Sequence, residues 1–408
     1  MEFKSRFSVK NSFHSLKTYC EGEGYEGWDP YDGLNSKVFN ATPLQKWDFA
    51  RLAWIQIFKR NPINLRTILA VPKQINAKGI GLFLSGYCSL FRISETGNEA
   101  YGTKAELLEK IHLLANLLEE IQSKGYSGAC WGYNFDWQAR GGLFFPAYTP
   151  TVVATTFCAS ALSEAYEITG VKKYRDMVLS SADFVLKDLS RTPYNSGFLF
   201  SYSPLNGNNT VFNASLLGAK LLSIAFRYRE KEEYKSTARL AVLAACEDQN
   251  KDGSWVYGLL PFQSWKDSFH TGYNLDAIQT YQRNTHDFSF QSNINNGFEF
   301  YINNFFEGDG TPKYYHNKKF PIDIHCPGQL FVTLAALDRF EKHKEIAERV
   351  MKWTLNNMQD RKGYFYYQLK KGANSKIPYM RWSNAFMFNA LGKYISKTIS
   401  DNLDTDTY

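Results

Sequence analysis

The chain has 408 residues, a formal net charge of +7 and an aromatic content of 16%. Its basic residues are spread along the sequence, which excludes a concentrated nucleic-acid-binding arm, and no run of about 18 apolar residues occurs, so no membrane-spanning segment is predicted. The six cysteines show no CxxC spacing, which argues against a disulfide framework or a zinc ribbon. Since the first residues lack the apolar stretch of a signal peptide, a cytoplasmic location is expected.

The two ends of the chain differ in composition from the rest. Residues 1–40 lack helical periodicity and include a polar, aromatic loop around Trp28, Asp29 and Tyr31. We expect this extension to pack over one end of a single domain at 41–400. The last residues, 401–408, are acidic and are predicted to be a disordered tail.

Helical periodicity recurs from about residue 43 onward. Leu107, Ile111, Leu114 and Leu118, for example, follow the spacing of one helix face. Twelve helices are predicted, at 43–60, 79–94, 103–124, 150–169, 171–188, 210–229, 231–247, 270–285, 288–304, 326–340, 343–358 and 382–397.

A short aromatic segment recurs between alternate helices. Its copies centre on Trp131, Leu199, Trp255, Tyr314 and Phe365, at intervals of 51 to 68 residues. That interval is the length of a helix pair plus a loop, so the pattern indicates an internal repeat, and alternating aromatics favour a short extended hairpin. The fold class is therefore predicted as all-α, an (α/α)6 toroid of six hairpins with inner and outer helices. An open solenoid is the alternative.

In such a ring the loops before the inner helices open at the same end, so their polar residues are expected to meet in one cavity. The candidates at these positions are Asp136, Trp137, Asn213, Asp267, His270, Tyr273, Asn274, Asp276, Asp323, His325, Arg381, Trp382 and Asn384. The competing interpretation is helix capping, which Asp323 could provide. The cluster from Asp267 to Asp276 is the densest in titratable groups and favours a site.

Two kinds of chemistry fit these residue types. Glycoside hydrolysis uses two carboxyl groups, for which Asp136, Asp267, Asp276 and Asp323 are available. Uronate lysis or epimerisation instead needs a base and a cation.

For that second chemistry, His270 or Tyr273 would be the base, His325 its partner, and Arg381 the clamp on a substrate carboxylate. Trp265 and Trp382 are candidate platforms for a sugar. Adjacent Asp323, His325 and Cys326 do not have the spacing of a metal site, and the sequence predicts no metal and no cofactor.

The segment from Gln249 to Trp255 (QNKDGSW) resembles the QW repeat of the triterpene cyclases. The segment from Asp267 to Tyr273 (DSFHTGY) resembles a His-Thr-x-Tyr segment of protein prenyltransferase β subunits. Both families are α/α toroids, so the resemblance implies that fold. The chemistry does not carry over, because no Asp-x-Asp-Asp motif occurs and Gly272 stands where the prenyltransferases have a cysteine.

The overall pattern is also similar to the six-hairpin glycosidase superfamily, to toroid domains of uronate lyases and epimerases, and to uncharacterised toroid proteins of bacterial capsule and exopolysaccharide gene clusters. These resemblances imply a carbohydrate-active enzyme that acts on an acidic polysaccharide or oligosaccharide in bacterial polysaccharide biosynthesis or modification. Two alternatives stay open: an isoprenoid-binding toroid and a non-catalytic glycan-binding protein.

Overall fold

The computed structural model describes the backbone of residues 8–404 and the side chains up to residue 398. The described residues form fourteen α-helices. In chain order they are α1 (Val9–Gly22), α2 (Lys37–Asn40), α3 (Asp48–Arg60), α4 (Ala77–Glu95), α5 (Lys104–Glu120), α6 (Val152–Thr169), α7 (Lys172–Lys187), α8 (Phe212–Tyr228), α9 (Glu232–Glu247), α10 (Ser268–Thr285), α11 (Gln291–Phe305), α12 (His325–Ala336), α13 (Lys344–Met358) and α14 (Phe386–Asp404).

Short antiparallel strands lie in the connections between helices. Strand β1 (Trp137–Gln138) pairs with β2 (Phe144–Phe145), β3 (Arg191–Tyr194) with β4 (Gly197–Phe200), and β5 (Ile322–Asp323) with β6 (Gln368–Leu369). The predicted aromatic segment at Leu199 is strand β4. The segments around Trp131 and Phe365 form isolated bridges, at Gly132 and Phe365, in place of full strands.

Six helices form a closed inner ring. Helix α4 packs on α6, α6 on α8, α8 on α10, α10 on α12, α12 on α14, and α14 returns to α4. Each inner helix lies between two others and an outer helix, so its apolar residues are buried nearly all round, as the run from Ala77 to Leu90 in α4 shows. The predicted all-α ring is confirmed, and the open solenoid is excluded.

The outer layer contains α5, α7, α9, α11, α13 and, unexpectedly, α1. The side-chain amide of Gln359, after α13, donates to the Ser12 carbonyl of α1 at 2.9 Å, and α1 packs on α14. We predicted residues 43–60 as the first ring helix, and this was wrong. The pattern was misleading because α1 buries few apolar side chains among many polar ones, whereas α3 is rich in apolar residues but leaves Phe49 and Ile57 exposed.

Helix α3 belongs to a cover segment, residues 26–75, that connects α1 to α4. Its small apolar cluster of Leu34, Phe39 and Ile55 is separate from the main core. A buried ion pair joins Asp29 of this segment to Arg381 in the π-helical turn Met380–Ala385 that precedes α14. The cover segment therefore lies against the end of the ring where inner helices begin.

None of the helices in the described part of the chain combines the length and apolar character needed to cross a membrane. The tail predicted at 401–408 is helical up to Asp404, where α14 ends. Residues 405–408 lie outside the described part.

Candidate functional site

Three aromatic rings close the axis of the inner ring. Phe157 of α6, Tyr273 of α10 and Phe386 of α14 come from alternate inner helices, and their ring centroids lie 5.4 to 6.5 Å apart. Helices two places apart in a six-membered ring can meet only near its axis, so these side chains form a floor. The polar groups at the inner-helix starts lie around this floor.

The first turn of α10 holds a carboxylate–imidazole pair. Asp267 is the N-cap residue, and one oxygen accepts the backbone N–H of His270 at 3.0 Å. Its other oxygen accepts from Trp265 Nε1 at 2.9 Å and lies 2.8 Å from Nδ1 of the His270 ring. A carboxylate there fixes the proton on Nδ1 and leaves Nε2 as an acceptor. With 21% of its side chain exposed, His270 is oriented and still accessible.

A small polar cavity adjoins this pair. It has a volume of about 10 Å³, room for about one water molecule, and Asn213, Tyr257, His270 and Asn274 are among its lining residues. The amide nitrogen of Asn213 and the amide oxygen of Asn274 are buried without a hydrogen-bond partner in the described structure. Because buried polar groups usually have partners, these two amides are suited to hold a ligand's hydroxyl groups.

A second carboxylate and imidazole lie at the start of α12. Asp323 is fully buried and accepts from Gln368 Nε2 at 2.6 Å, Trp382 Nε1 at 2.9 Å and the backbone of His325 at 3.0 Å. Burial raises the pKa of Asp323 despite these donors. The capping interpretation is thus partly right, since one of the three bonds is to a helix-start N–H group.

The His325 ring packs against Phe386 and Trp382, with centroids 3.5 and 4.3 Å away. Burial, followed by Lys78 and Arg381, lowers the pKa of His325 well below its usual value. Phe269 contacts both histidines. Its ring centroid lies 4.2 Å from that of His270 and 4.9 Å from that of His325. The two imidazoles are therefore brought together, and the lowered pKa favours the neutral form of His325.

Arg381 already has a carboxylate partner. Its Nε and Nη2 donate to the two oxygens of Asp29 at 2.5 and 2.8 Å, and the guanidinium lies over Tyr133 and Trp382. The predicted clamp on a substrate carboxylate is thus occupied by the protein itself. Tyr273 is also beside the site, where burial raises the pKa of its hydroxyl, so the hydroxyl stays protonated and is not available in the predicted role of base.

No family model matches this sequence, and no curated protein matches it. Several solved structures are similar to it in fold. The cellobiose 2-epimerase of Bacillus thermoamylovorans aligns over 81% of this chain and 90% of its own, with a TM-score of 0.61 and 14% identity. A GH76 α-mannanase of Bacteroides thetaiotaomicron aligns over 80% and 88%, with a TM-score of 0.59 and 13% identity. A polysaccharide lyase aligns over 96% and 97%, with a TM-score of 0.58 and 10% identity. The fold is an α/α toroid.

Several predicted site residues have structural partners elsewhere in the toroid. Asp276 pairs with Lys220 at 2.6 Å, six residues beyond His270 along α10. Asn384 accepts the backbone N–H of Phe365 at 2.9 Å and so holds an aromatic loop. Asp136 accepts the backbone N–H of Ala147 at 2.7 Å, across the β1–β2 hairpin. The Asp276 pair therefore joins α10 to α8, and the other two contacts hold loops.

The three tryptophans predicted at the site, of which Trp265 and Trp382 were the candidate platforms, are held by neighbours. Trp265 stacks on Tyr257 with ring centroids 4.6 Å apart, and Trp137 stacks on Phe145 with ring centroids 4.8 Å apart. Trp382 lies within 5.6 Å of Tyr31 from the cover segment. Of these aromatics, Tyr257 is the one that lines the small cavity.

Sequence reasoning missed Lys78, in the first turn of α4. Its side chain is 4% exposed and meets the floor rings Phe157, Tyr273 and Phe386. A signal was present, because Lys78 is the one charged residue in the apolar run from Ala77 to Phe91. A lone charge in such a run predicts a residue that faces the interior.

A larger cavity, of about 230 Å³, lies away from the two histidines, between the cover segment and the loop after α5. Its lining includes Glu26, Gln74, Asn134 and Tyr148.

Within residues 8–398, no group of three or more His, Cys, Asp or Glu side chains could hold a metal ion. All six cysteines are free thiols and buried.

Proposed function

We propose that this protein is a carbohydrate-active enzyme that transfers a proton at a sugar carbon, by uronate lysis or epimerisation, with His270 as the base. The observation that carries the proposal is the Asp267–His270 pair, whose histidine lines a cavity together with two unpartnered amides. Support comes also from the neighbours in fold, since the epimerase, the mannanase and the lyase act on carbohydrate by name.

Glycoside hydrolysis fits the geometry less well. It needs one carboxyl group that protonates the leaving oxygen and a second that is free to attack or to activate water. Asp267 and Asp323 each accept three hydrogen bonds from the protein, and both oxygens of Asp29 contact Arg381. None of these three carboxylates is open to a glycosidic bond.

The proposed step starts at a C–H bond next to a carbonyl or carboxylate carbon. His270 Nε2 takes the proton, and the electron pair moves into the adjacent carbonyl group. Asp267 stabilises the imidazolium that forms, as a carboxylate does in a catalytic triad. In epimerisation a water molecule then gives a proton to the opposite face, and the imidazolium releases the proton that it took to solvent. In lysis the C–O bond at the β position breaks, and the Tyr273 hydroxyl gives its proton to the leaving oxygen.

The cover segment borders this site on the side of Trp382 and Arg381. Tyr31 lies against Trp382, and Asp29 of the same segment is bound to Arg381. We propose a polysaccharide or oligosaccharide substrate, and the acidic character that the net charge favours is part of that proposal. The bacterial capsule context and the cytoplasmic location stay predictions from the sequence.

The test is deuterium uptake from D₂O into neutral and acidic oligosaccharides, followed by NMR, together with the ultraviolet absorbance of any new double bond. Replacement of His270 by Gln should lower the rate about 100- to 10,000-fold, because general base catalysis contributes that much. His112→Gln is the matched control, since His112 lies on outer helix α5 and contacts Tyr174. A His270→Gln enzyme with full activity would remove the histidine from the mechanism.

One observation favours a second function, non-catalytic glycan binding. The centre is nearly filled, and the larger cavity lies at Tyr148 and Asn134 instead. Oligosaccharide binding without deuterium uptake, lost in Tyr148→Ala and kept in His270→Gln, would support that function. The isoprenoid alternative has no such support, because the Phe157, Tyr273 and Phe386 rings fill the axis that a polyprenyl chain would need.

A further inference from the structure

The side-chain amine of Lys78 is buried among aromatic rings. Its Nζ lies 4.1 Å from the ring centroid of Phe157, 5.0 Å from that of Phe386 and 5.3 Å from that of Tyr273. These rings come from three other inner helices, so the ammonium is at the centre of the toroid. Cation–π contacts attract it, but they do not replace the full charge of an anion.

The charges around Lys78 do not balance. Of the charged groups that act on the Lys78 ammonium, Arg381 repels it and Asp29 attracts it. Both oxygens of Asp29 are already bound by Arg381. In its protonated form Lys78 therefore shares one carboxylate, that of Asp29, with Arg381, and a buried charge without a partner of its own is costly. The centre has the electrostatics of a site that receives an anion.

We propose that Lys78 binds the carboxylate of the substrate, and that the substrate class is therefore the hexuronates rather than neutral sugars. This rests on the proposed function and assigns to Lys78 the clamp role expected of Arg381. The same ammonium would stabilise the negative charge that spreads onto the carboxylate once His270 removes the neighbouring proton.

Proton uptake should accompany this binding. Burial lowers the pKa of Lys78 well below its usual value, and Arg381 lowers it further, against the smaller opposing effects of Asp29 and Cys158. Tyr273 and neutral His325 also face it. A bound carboxylate would raise the pKa again, so the complex takes up a proton that the free protein lacks.

The experiment uses two probes that differ only at C6, methyl β-D-glucuronoside and methyl β-D-glucoside. Calorimetry on the full chain, in buffers with different ionisation enthalpies, gives both affinity and proton uptake. The wild type should bind the glucuronoside at least about 10-fold more tightly, with proton uptake. Lys78→Met should weaken glucuronoside binding about 10- to 100-fold, the range for a charge-assisted contact, and leave the glucoside unchanged. Lys78→Arg should keep part of the preference.

Lys220→Met is the control, because it removes an inner-helix ammonium that already has Asp276 as partner, and it should keep the preference. Equal affinity of the wild type for the two probes, binding of neither, or a preference that survives in Lys78→Met would overturn the proposal. If Lys78→Met does not fold, the wild-type preference and proton uptake, with Lys78→Arg, decide. Deuterium uptake into neutral sugars that depends on His270 would leave the proposed function intact while excluding this inference.

Discussion

At the scale of single residues, Asp267 has two separable roles. One oxygen caps α10, and the other orients His270 together with the Trp265 N–H. Asparagine is an equally good helix N-cap. Its amide has an NH₂ group in place of the second oxygen, however, so it cannot accept hydrogen bonds from the Trp265 and His270 rings there. The substitution Asp267→Asn therefore separates the structural role from positioning of the base.

We predict that Asp267→Asn lowers kcat about 100- to 10,000-fold, the scale seen when a triad histidine is left in the wrong tautomer. KM should change little, because Asp267 holds the histidine rather than the sugar. The free energy of unfolding should stay within about 1 kcal/mol of the wild type, since the cap is kept. Steady-state kinetics and urea unfolding give these values. An equal loss of stability and activity would mean that Asp267 is structural only.

At the scale of the elements, one hydrogen-bond motif, made by a glutamine side chain, is repeated where outer helices end. Gln249 donates to the carbonyl of Gly253 at 2.8 Å and to that of Asn293 on α11 at 2.9 Å. Gln359 donates in the same way to Gly363 at 3.0 Å and to Ser12 on α1 at 2.9 Å. The two glycines adopt positive φ, and a Cβ on either would overlap a carbonyl of the next outer helix. The QW-like segment thus joins neighbouring hairpins.

The close approach of Gly363 to α1 in this motif predicts that Gly363→Ala is strongly destabilising. A Cβ there would overlap the carbonyl of Ser15 in α1, and φ is +98°. The left-handed backbone alone costs about 1–2 kcal/mol for alanine, and the overlap should bring the loss in unfolding free energy to about 3–4 kcal/mol.

Gly372→Ala is the matched control for Gly363→Ala, because φ is +87° and no atom lies within 4 Å of the added Cβ. Gly372→Ala should lower the free energy of unfolding only by the cost of the left-handed backbone, about 1–2 kcal/mol. Equal losses in the two variants, measured by urea unfolding, would show that contact with α1 contributes nothing to stability.

The elements also show what the sequence can predict. The aromatic repeat and the QW-like segment indicated the hairpins, because both depend on local spacing. Helix α1 was missed since its apolar face, Phe13, Leu16 and Cys20, is narrow. Lys78 and Asp29 were not recognised as site residues because their neighbours come from other parts of the chain. Asp29 and Arg381, for example, are 352 residues apart.

At the scale of the whole molecule, Glu164 ties three inner helices together. From α6 it accepts hydrogen bonds from Lys393 on α14 at 2.9 Å and from Ser85 on α4 at 2.8 Å, and Arg92 on α4 lies 3.3 Å away. Burial alone would raise the pKa of Glu164, but Lys393 and Arg92 outweigh it and lower the pKa to about 2. The ionised carboxylate therefore stabilises the folded ring.

We predict that Glu164→Gln lowers the free energy of unfolding by about 2–3 kcal/mol at pH 7. The folded pKa lies below the ordinary value of 4.5, so the contribution is complete above that pH and is lost as the pH falls toward 2. The difference between wild type and variant should shrink over this window. Glu345→Gln, in an exposed pair with Arg349, should change little at either pH. A constant difference from pH 7 to pH 3 would contradict the assignment.

The position of α1 has a consequence for the newly made protein. The first helix finds its partner, Gln359, only after a further 347 residues have been synthesised. Until then the growing polypeptide is an open arc whose first and last hairpins expose apolar surface. Since contacts between such distant segments form slowly, closure must wait until the ribosome has translated Gln359 and the inner helix α14 that follows it, and the unfinished arc is the species that chaperones would meet.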